Sequence, residues 1–188
     1  MTDFSGTWKC VEVGENFGDF LKFIGTPWFI RKIAAFDRFG TNKEVEVITM
    51  SSPMNFKAVN NGPRKVITQE FTIDGTEQRS TSIPDGSALA LTAVWDGDAM
   101  VMRTQIPGAA YSMEARRTLD PSGRLRLDIT AERLDGTGNF STYRIFVRTD
   151  DADGASGAGW ASAAVAAEIA AHGERPETPR AAGHGYIE

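Results

Sequence analysis

The most constraining feature of this chain is a succession of turn signals that begins near Thr41 and recurs for about a hundred residues. Asn60-Asn61-Gly62-Pro63, Asp74-Gly75, Pro84-Asp85-Gly86, Asp96-Gly97-Asp98 and Pro107-Gly108 are followed by Asp120-Pro121-Ser122-Gly123 and Asp135-Gly136-Thr137-Gly138. Such residues accept a left-handed backbone or bond back onto their own main chain, and they stand between runs rich in apolar and β-branched side chains. Strands are predicted over 43–50, 54–59, 65–73, 76–83, 87–95, 99–104, 110–119, 124–132 and 140–148, and the run 4–13 makes ten. Many short strands joined by local turns favour a meander, and closing the meander removes two exposed edges. The expected fold is all-β, a ten-stranded antiparallel up-and-down β-barrel.

The stretch between the first strand and the rest has a different period. In residues 15–24 the apolar Phe17, Phe20, Leu21 and Ile24 fall at helical spacings of 0, 3, 4 and 7. Asn16 suits the cap of that helix, Gly25 its end, and Pro27 the opening of a second. The second carries Trp28, Phe29, Ile30, Ile33, Ala34 and Phe36, interrupted by Arg31 and Lys32. Helices this short do not stand alone in water, so their apolar sides are expected to cover something. The reading is a two-helix lid over about 16–36, with most of Phe17, Phe20, Leu21, Ile24, Trp28, Phe29 and Ile33 packed against the barrel.

Beyond Arg148 the pattern stops. Residues 149–157 read as a linker, residues 160–171 are alanine-rich enough for one helix, and Gly173, Pro176, Pro179, Gly183 and Gly185 interrupt the remaining stretch. The expected division is therefore a barrel over 1–149 and a flexible or partly helical C-terminal extension over 150–188. With 41% hydrophobic and 24% charged residues the composition fits a soluble globular protein. No run reaches the ~20 apolar residues of a spanning helix. The start, Met1-Thr2-Asp3-Phe4, lacks the pattern of a secretory signal, so a cytoplasmic location is expected. A net charge of -5 argues against a nucleic-acid face, and a single cysteine, Cys10, excludes a disulfide framework or a cysteine-rich metal cluster.

In Arg124-Leu125-Arg126-Leu127-Asp128-Ile129-Thr130 the apolar residues share one face and the polar ones the other. In a ligand-holding barrel either face can be the inner one, and the pattern leaves this open. No Gly-rich nucleotide loop, His-Glu-x-x-His or Gly-x-Ser-x-Gly occurs, and His172 and His184 both lie in the tail. No cofactor and no metal are expected. Arginines of the late strands are the better lead. Arg116 and Arg117 must point to opposite faces of strand 110–119, while Arg144, Phe146 and Arg148 share a face of strand 140–148. One inward arginine from each strand would make a cationic pair for a carboxylate, which guanidinium matches bidentately. Solvated arginines on outer strand faces are the alternative.

Phe4-Ser5-Gly6-Thr7-Trp8-Lys9, the blocks 15–22 and 31–34 at their separation, and the Trp95-Asp96-Gly97 turn together resemble the intracellular fatty-acid-binding protein family. That family includes the retinoid-binding proteins and lies within the calycin superfamily. The likeness covers residues 4–36 well and 41–148 as strand number and order. It implies a barrel with an internal cavity entered beneath the two helices, and a carboxylate gripped by an arginine and an Arg-x-Tyr pair. Arg144-Ile145-Phe146 stands in the place of Arg-x-Tyr, so the resemblance implies Arg144 as one carboxylate ligand. It implies Arg117 as the other, with Arg116 as the register alternative. Phe146 departs from the family pattern because it supplies no phenolic hydroxyl, which weakens the carboxylate clamp and favours a smaller, neutral or aromatic ligand as the alternative. Phe17, Trp28, Phe29, Ile33, Met113 and Phe146 complete the expected ligand-binding set.

The expected function is binding or transport of a hydrophobic small molecule that carries a carboxylate: a fatty acid, a retinoid or an aromatic acid. Transient membrane contact fits this reading, and nucleic acid does not. The alternative is a cofactor-free enzyme, an isomerase or cyclase, acting on a hydrophobic molecule in the same cavity. Its acid–base candidates are Tyr111, Tyr143, Glu114, Asp128 and Glu132, which would have to converge within hydrogen-bond reach. A third reading is a scaffold that associates with other proteins through the tail.

Overall fold

The computed structural model of the protein describes residues 1–62, 66–80 and 89–149. Its strands are β1 (Gly6–Val13), β2 (Val45–Ser52), β3 (Asn55–Asn61), β4 (Val66–Thr72), β5 (Gln78–Ser80), β6 (Leu89–Asp96), β7 (Ala99–Gln105), β8 (Tyr111–Leu119), β9 (Leu125–Arg133) and β10 (Asn139–Arg148). Two helices, α1 (Phe17–Phe23) and α2 (Trp28–Phe36), are inserted between β1 and β2. The sheet order is β4-β3-β2-β1-β10-β9-β8-β7-β6-β5, antiparallel throughout. Chain neighbours other than β4 and β5 are therefore sheet neighbours, and β1 closes the meander onto β10. Between β4 and β5, at the two ends of this order, the Gln78 side chain stands in for a ladder. It accepts from the Thr72 N–H and donates to the Thr72 carbonyl, both at 2.8 Å. The result is the nearly closed ten-stranded barrel that the turn succession predicts. The expected extension over 150–188 and the Pro84-Asp85-Gly86 turn lie outside the described residues.

Strand alternation decides what faces inward. On β8, Tyr111, Met113, Ala115 and Arg117 are buried, while Ser112, Glu114, Arg116 and Thr118 are only half-buried. On β9 the buried set is Leu125, Leu127, Ile129 and Ala131, so the apolar face is the inner one. Together with Trp8, Phe56, Phe71, Met100, Met102 and Phe146 these side chains make one continuous core. Cys10 belongs to it, fully buried, and that burial pushes its thiol up to about 11. A thiol with so high a pKa stays protonated far above neutrality and is unreactive. Native protein at pH 8 is accordingly expected to leave Cys10 unlabelled by a thiol-disulfide reagent, with full labelling after denaturation in guanidinium. Rapid labelling of the native chain would contradict this placement.

The lid is fastened to the barrel through α1. Phe17, Phe20 and Leu21 are buried, and the rings of Phe20 and Phe23 lie 6.3 and 5.8 Å from that of Phe140 on β10. Asn16 does not cap α1 with its side chain, contrary to expectation. Its amide nitrogen instead donates to the Ser141 carbonyl at 2.9 Å, and its amide oxygen accepts from the Thr142 hydroxyl at 2.9 Å. Gly25 ends the helix as its sequence position implies, with φ of 81° and the following Thr26 N–H bonded back to the Leu21 carbonyl at 2.8 Å. α2 departs from the expected packing. Only Ala34 is buried, Ile33 is half-buried, and Trp28 and Phe29 are 67% and 51% exposed. Helical spacing shows which residues share a side, but not whether a partner covers that side. No described helix is long and apolar enough to cross a membrane.

Candidate functional site

Two arginines enter the barrel interior, and each meets a glutamate from the start of β2. Glu44 and Glu46 are two residues apart, so an extended chain turns both to one face. Both are buried, as are Arg117 on β8 and Arg144 on β10. Arg144 engages Glu44 with both terminal nitrogens, Nη1 to Oε1 at 2.6 Å and Nη2 to Oε2 at 2.6 Å. The same Nη2 donates to the Phe39 carbonyl at 2.5 Å, and the Asn60 amide donates to Glu44 Oε1 at 2.6 Å. Burial pushes the Glu44 carboxyl up, against the pull of the Arg144 guanidinium and of the Asn60 amide. Burial is the largest influence on the Arg144 charge and works against it, but Glu44 together with Cys10 and Glu46 holds the guanidinium above its ordinary value. This cluster ties β10, β2, β3 and the segment after α2 into one joint. Gly40 lies against it with φ of 90°, and a Cβ there would come within 2.7 Å of Glu44 Oε2.

Arg117 is held less completely. Nη2 donates to Glu46 Oε1 at 3.0 Å, and the guanidinium lies over the Phe56 ring at 5.2 Å. Phe56 is itself stacked on Phe71, with ring centres 4.8 Å apart. Arg117 Nε and Nη1 are buried without a hydrogen-bond partner. Beside them lies an internal pocket walled by Leu89, Met102, Ile106, Met113, Ala115, Leu127 and Ile129, with Gln69 and Thr104 as further polar groups. The space amounts to about 20 Å³, room for about one water-sized group. Few polar groups on an apolar wall is the usual composition of a small-molecule site, but such sites enclose roughly 300–1,000 Å³, so any ligand larger than a water has to push these lining side chains apart to enter.

The expected site residues divide between the two faces. Arg117, Arg144, Phe146, Met113 and Phe17 are all buried. Met113 lines the pocket, while Phe17 and Phe146 lie under the Arg144 guanidinium at 5.4 and 5.9 Å. Arg116 is directed outward, because it alternates with Arg117, and it pairs with Asp96 on β6 at 2.6 Å. Arg148, expected on the face of Arg144, is exposed and stacks over Trp8 at 4.7 Å. Trp28, Phe29 and Ile33 reach no buried position. Among the acid–base candidates, Glu114 pairs with Arg103, Asp128 with Arg126, Tyr143 bonds Glu12, and Glu132 is exposed. Only Tyr111 is inside, its hydroxyl without a partner and its pKa pushed up to about 12 by burial. No group of three or more metal-ligating side chains occurs among the described residues. Glu44, Glu46, Asn60, Gln69 and Thr104 were not anticipated. Carboxylates at i and i+2 of a predicted strand are the one local signal for the first two, and it gives no indication of their partners.

No family model matches the chain. A fatty acid-binding protein of Clonorchis sinensis is 34% identical over 119 residues, which cover 55% of this chain and 81% of that protein. The chain belongs to the fatty-acid-binding protein family. Solved structures agree on the fold. Fatty-acid-binding protein 1 of Echinococcus granulosus superposes with a TM-score of 0.59 at 15% identity, over 78% of this chain and 97% of that one. Human cRBP IV gives a TM-score of 0.59 at 17% identity, over 79% and 100%. The fluorescent protein UnaG gives 0.55 at 19% identity, over 78% and 97%. This chain thus shares the barrel with them, and carries Arg117 and Arg144 inside it. Both arginines are already paired inside it.

Proposed function

We propose that this chain is a carrier that binds a hydrophobic small molecule inside the barrel, with the molecule's polar end against Arg117. One observation carries the reading. Arg117 is buried beside an apolar-walled pocket of about 20 Å³, which a cargo would have to widen on entry, and two of its nitrogens have no acceptor. A buried donor without an acceptor is costly, and a ligand oxygen would relieve that cost. The relative from Clonorchis sinensis, described as a fatty acid-binding protein, supports a lipid-like cargo. Arg144 is different: only its Nε lacks a partner, Glu44 and the Phe39 carbonyl occupy its terminal nitrogens, and it is not on the wall of this pocket. Its role is to hold the joint between lid and barrel.

Native mass spectrometry of gently purified protein is expected to show a retained small molecule of lipid-like mass. The double substitution Arg117→Gln with Glu46→Gln removes both charges together and leaves neither orphaned. It is expected to weaken binding of the recovered molecule about tenfold, which is about 1.4 kcal/mol and at the low end for a hydrogen bond to a charged group. A folded double variant that holds the same molecule with unchanged affinity would overturn the assignment to Arg117.

A further inference from the structure

We infer that the cargo's polar end is a neutral hydrogen-bond acceptor, such as a hydroxyl or carbonyl, and that Glu46 sets this preference against carboxylates. The inference rests on the carrier reading above and specifies its ligand. Four charged side chains are buried in the interior among the described residues: Arg117, Arg144, Glu44 and Glu46. Asp37, also buried, pairs outward with the half-exposed Lys43 at 2.6 Å. The two guanidinium charges are therefore balanced by two carboxylates before any ligand enters.

The two pairs differ in what they leave open. At Arg144 the Glu44 carboxylate and a main-chain carbonyl take both terminal nitrogens and only Nε is unpartnered, so an acid seeking two guanidinium nitrogens would have to displace Glu44. At Arg117 Glu46 takes one nitrogen and leaves Nε and Nη1 free. A ligand carboxylate arriving at those nitrogens would share one guanidinium with Glu46. Two carboxylates at that spacing in a desolvated site repel each other, and one of them would have to take up a proton. A neutral oxygen offers lone pairs to the same N–H groups without adding charge. Gln69 and Thr104, on the pocket wall, can bond a neutral group and provide no counter-charge for an acid.

The test uses two matched pairs of probes, oleyl alcohol with oleic acid and retinol with retinoic acid. Each is titrated into the full chain by displacement of the uncharged dye Nile red. The alcohol of each pair is expected to bind at least tenfold tighter than the acid. Glu46→Gln, which keeps the shape and an acceptor oxygen but removes the charge, is expected to shift the ratio of acid to alcohol affinity about tenfold toward the acid. Acids that bind the natural chain as tightly as the alcohols overturn the inference, whether or not the variant folds. An acid-to-alcohol ratio unchanged by Glu46→Gln in folded protein overturns the role of Glu46. If no probe of either kind displaces the dye, the carrier reading itself fails, and this inference with it.

Discussion

Glu44→Ala is expected to lower the unfolding free energy by about 3–5 kcal/mol, the range for breaking a buried ion pair at one end. The magnitude reflects the group that the substitution leaves behind. Arg144 is 1% exposed and keeps only the Phe39 carbonyl as a bonded acceptor once the Glu44 carboxylate is gone. A lone guanidinium in that position has neither water nor counter-ion. Asn60 loses its acceptor at the same time, since its amide donates to Glu44 Oε1. For a domain with a typical stability of about 5–15 kcal/mol the loss is a large share of the total. Urea unfolding should show it as a fall in midpoint with an unchanged slope. The complementary variant, Glu44→Met with Arg144→Met, removes both charges and fills the space with apolar atoms. It is expected to recover most of the loss, because a buried pair contributes little net stability against an apolar replacement of similar volume. A Glu44→Ala protein within about 1 kcal/mol of the natural chain would mean that water reaches Arg144.

Those same residues show where sequence reading ends. The ten strands and the closing order were legible because turns are local: Asp120 bonds the main chain of Ser122 and Arg124 at 2.9 and 3.0 Å, all within five residues. Alternation along β8 showed only that Arg116 and Arg117 oppose each other; the choice of Arg117 came from the family resemblance, with Arg116 as the alternative. The helical spacing of Phe17, Phe20, Leu21 and Ile24 named the buried side of α1 correctly. For α2 an equally apolar pattern left Trp28 and Phe29 exposed, because coverage depends on how the lid is angled. Glu44 and Glu46 were out of reach for a different reason. Their partners lie 100 and 71 residues away, across a barrel that must close before the groups meet. From the chain alone, an inward arginine looks like a free cation for a ligand. Only its surroundings show that the charge is already balanced.

Trp8→Ala is the second change expected to cost about 3–5 kcal/mol, the range for truncating a large buried aromatic. Trp8 is fully buried, and its indole N–H donates to the Phe4 carbonyl at 2.8 Å. Arg148 covers the ring at 4.7 Å, and Phe4 is stacked on Trp95 with ring centres 5.9 Å apart. Trp8→Ala would therefore leave both a void and a carbonyl without its donor. Trp8→Phe separates the two effects: it keeps most of the volume and loses the hydrogen bond, for an expected cost of about 1–2 kcal/mol. Urea midpoints of the two variants read the difference directly, and equal losses would mean that the bond rather than the packing dominates. The position also bears on the ligand site. Trp8 is the cross-strand partner of Glu46 in the β1–β2 register, and both are buried. Directly opposed residues on a sheet have neighbouring side chains, so the indole helps keep water from the Glu46–Arg117 pair. Water admitted by Trp8→Ala would screen the repulsion between Glu46 and an incoming acid. Trp8→Ala should thus narrow the preference for alcohols over acids as well as weaken the fold, while Trp8→Phe should preserve that preference.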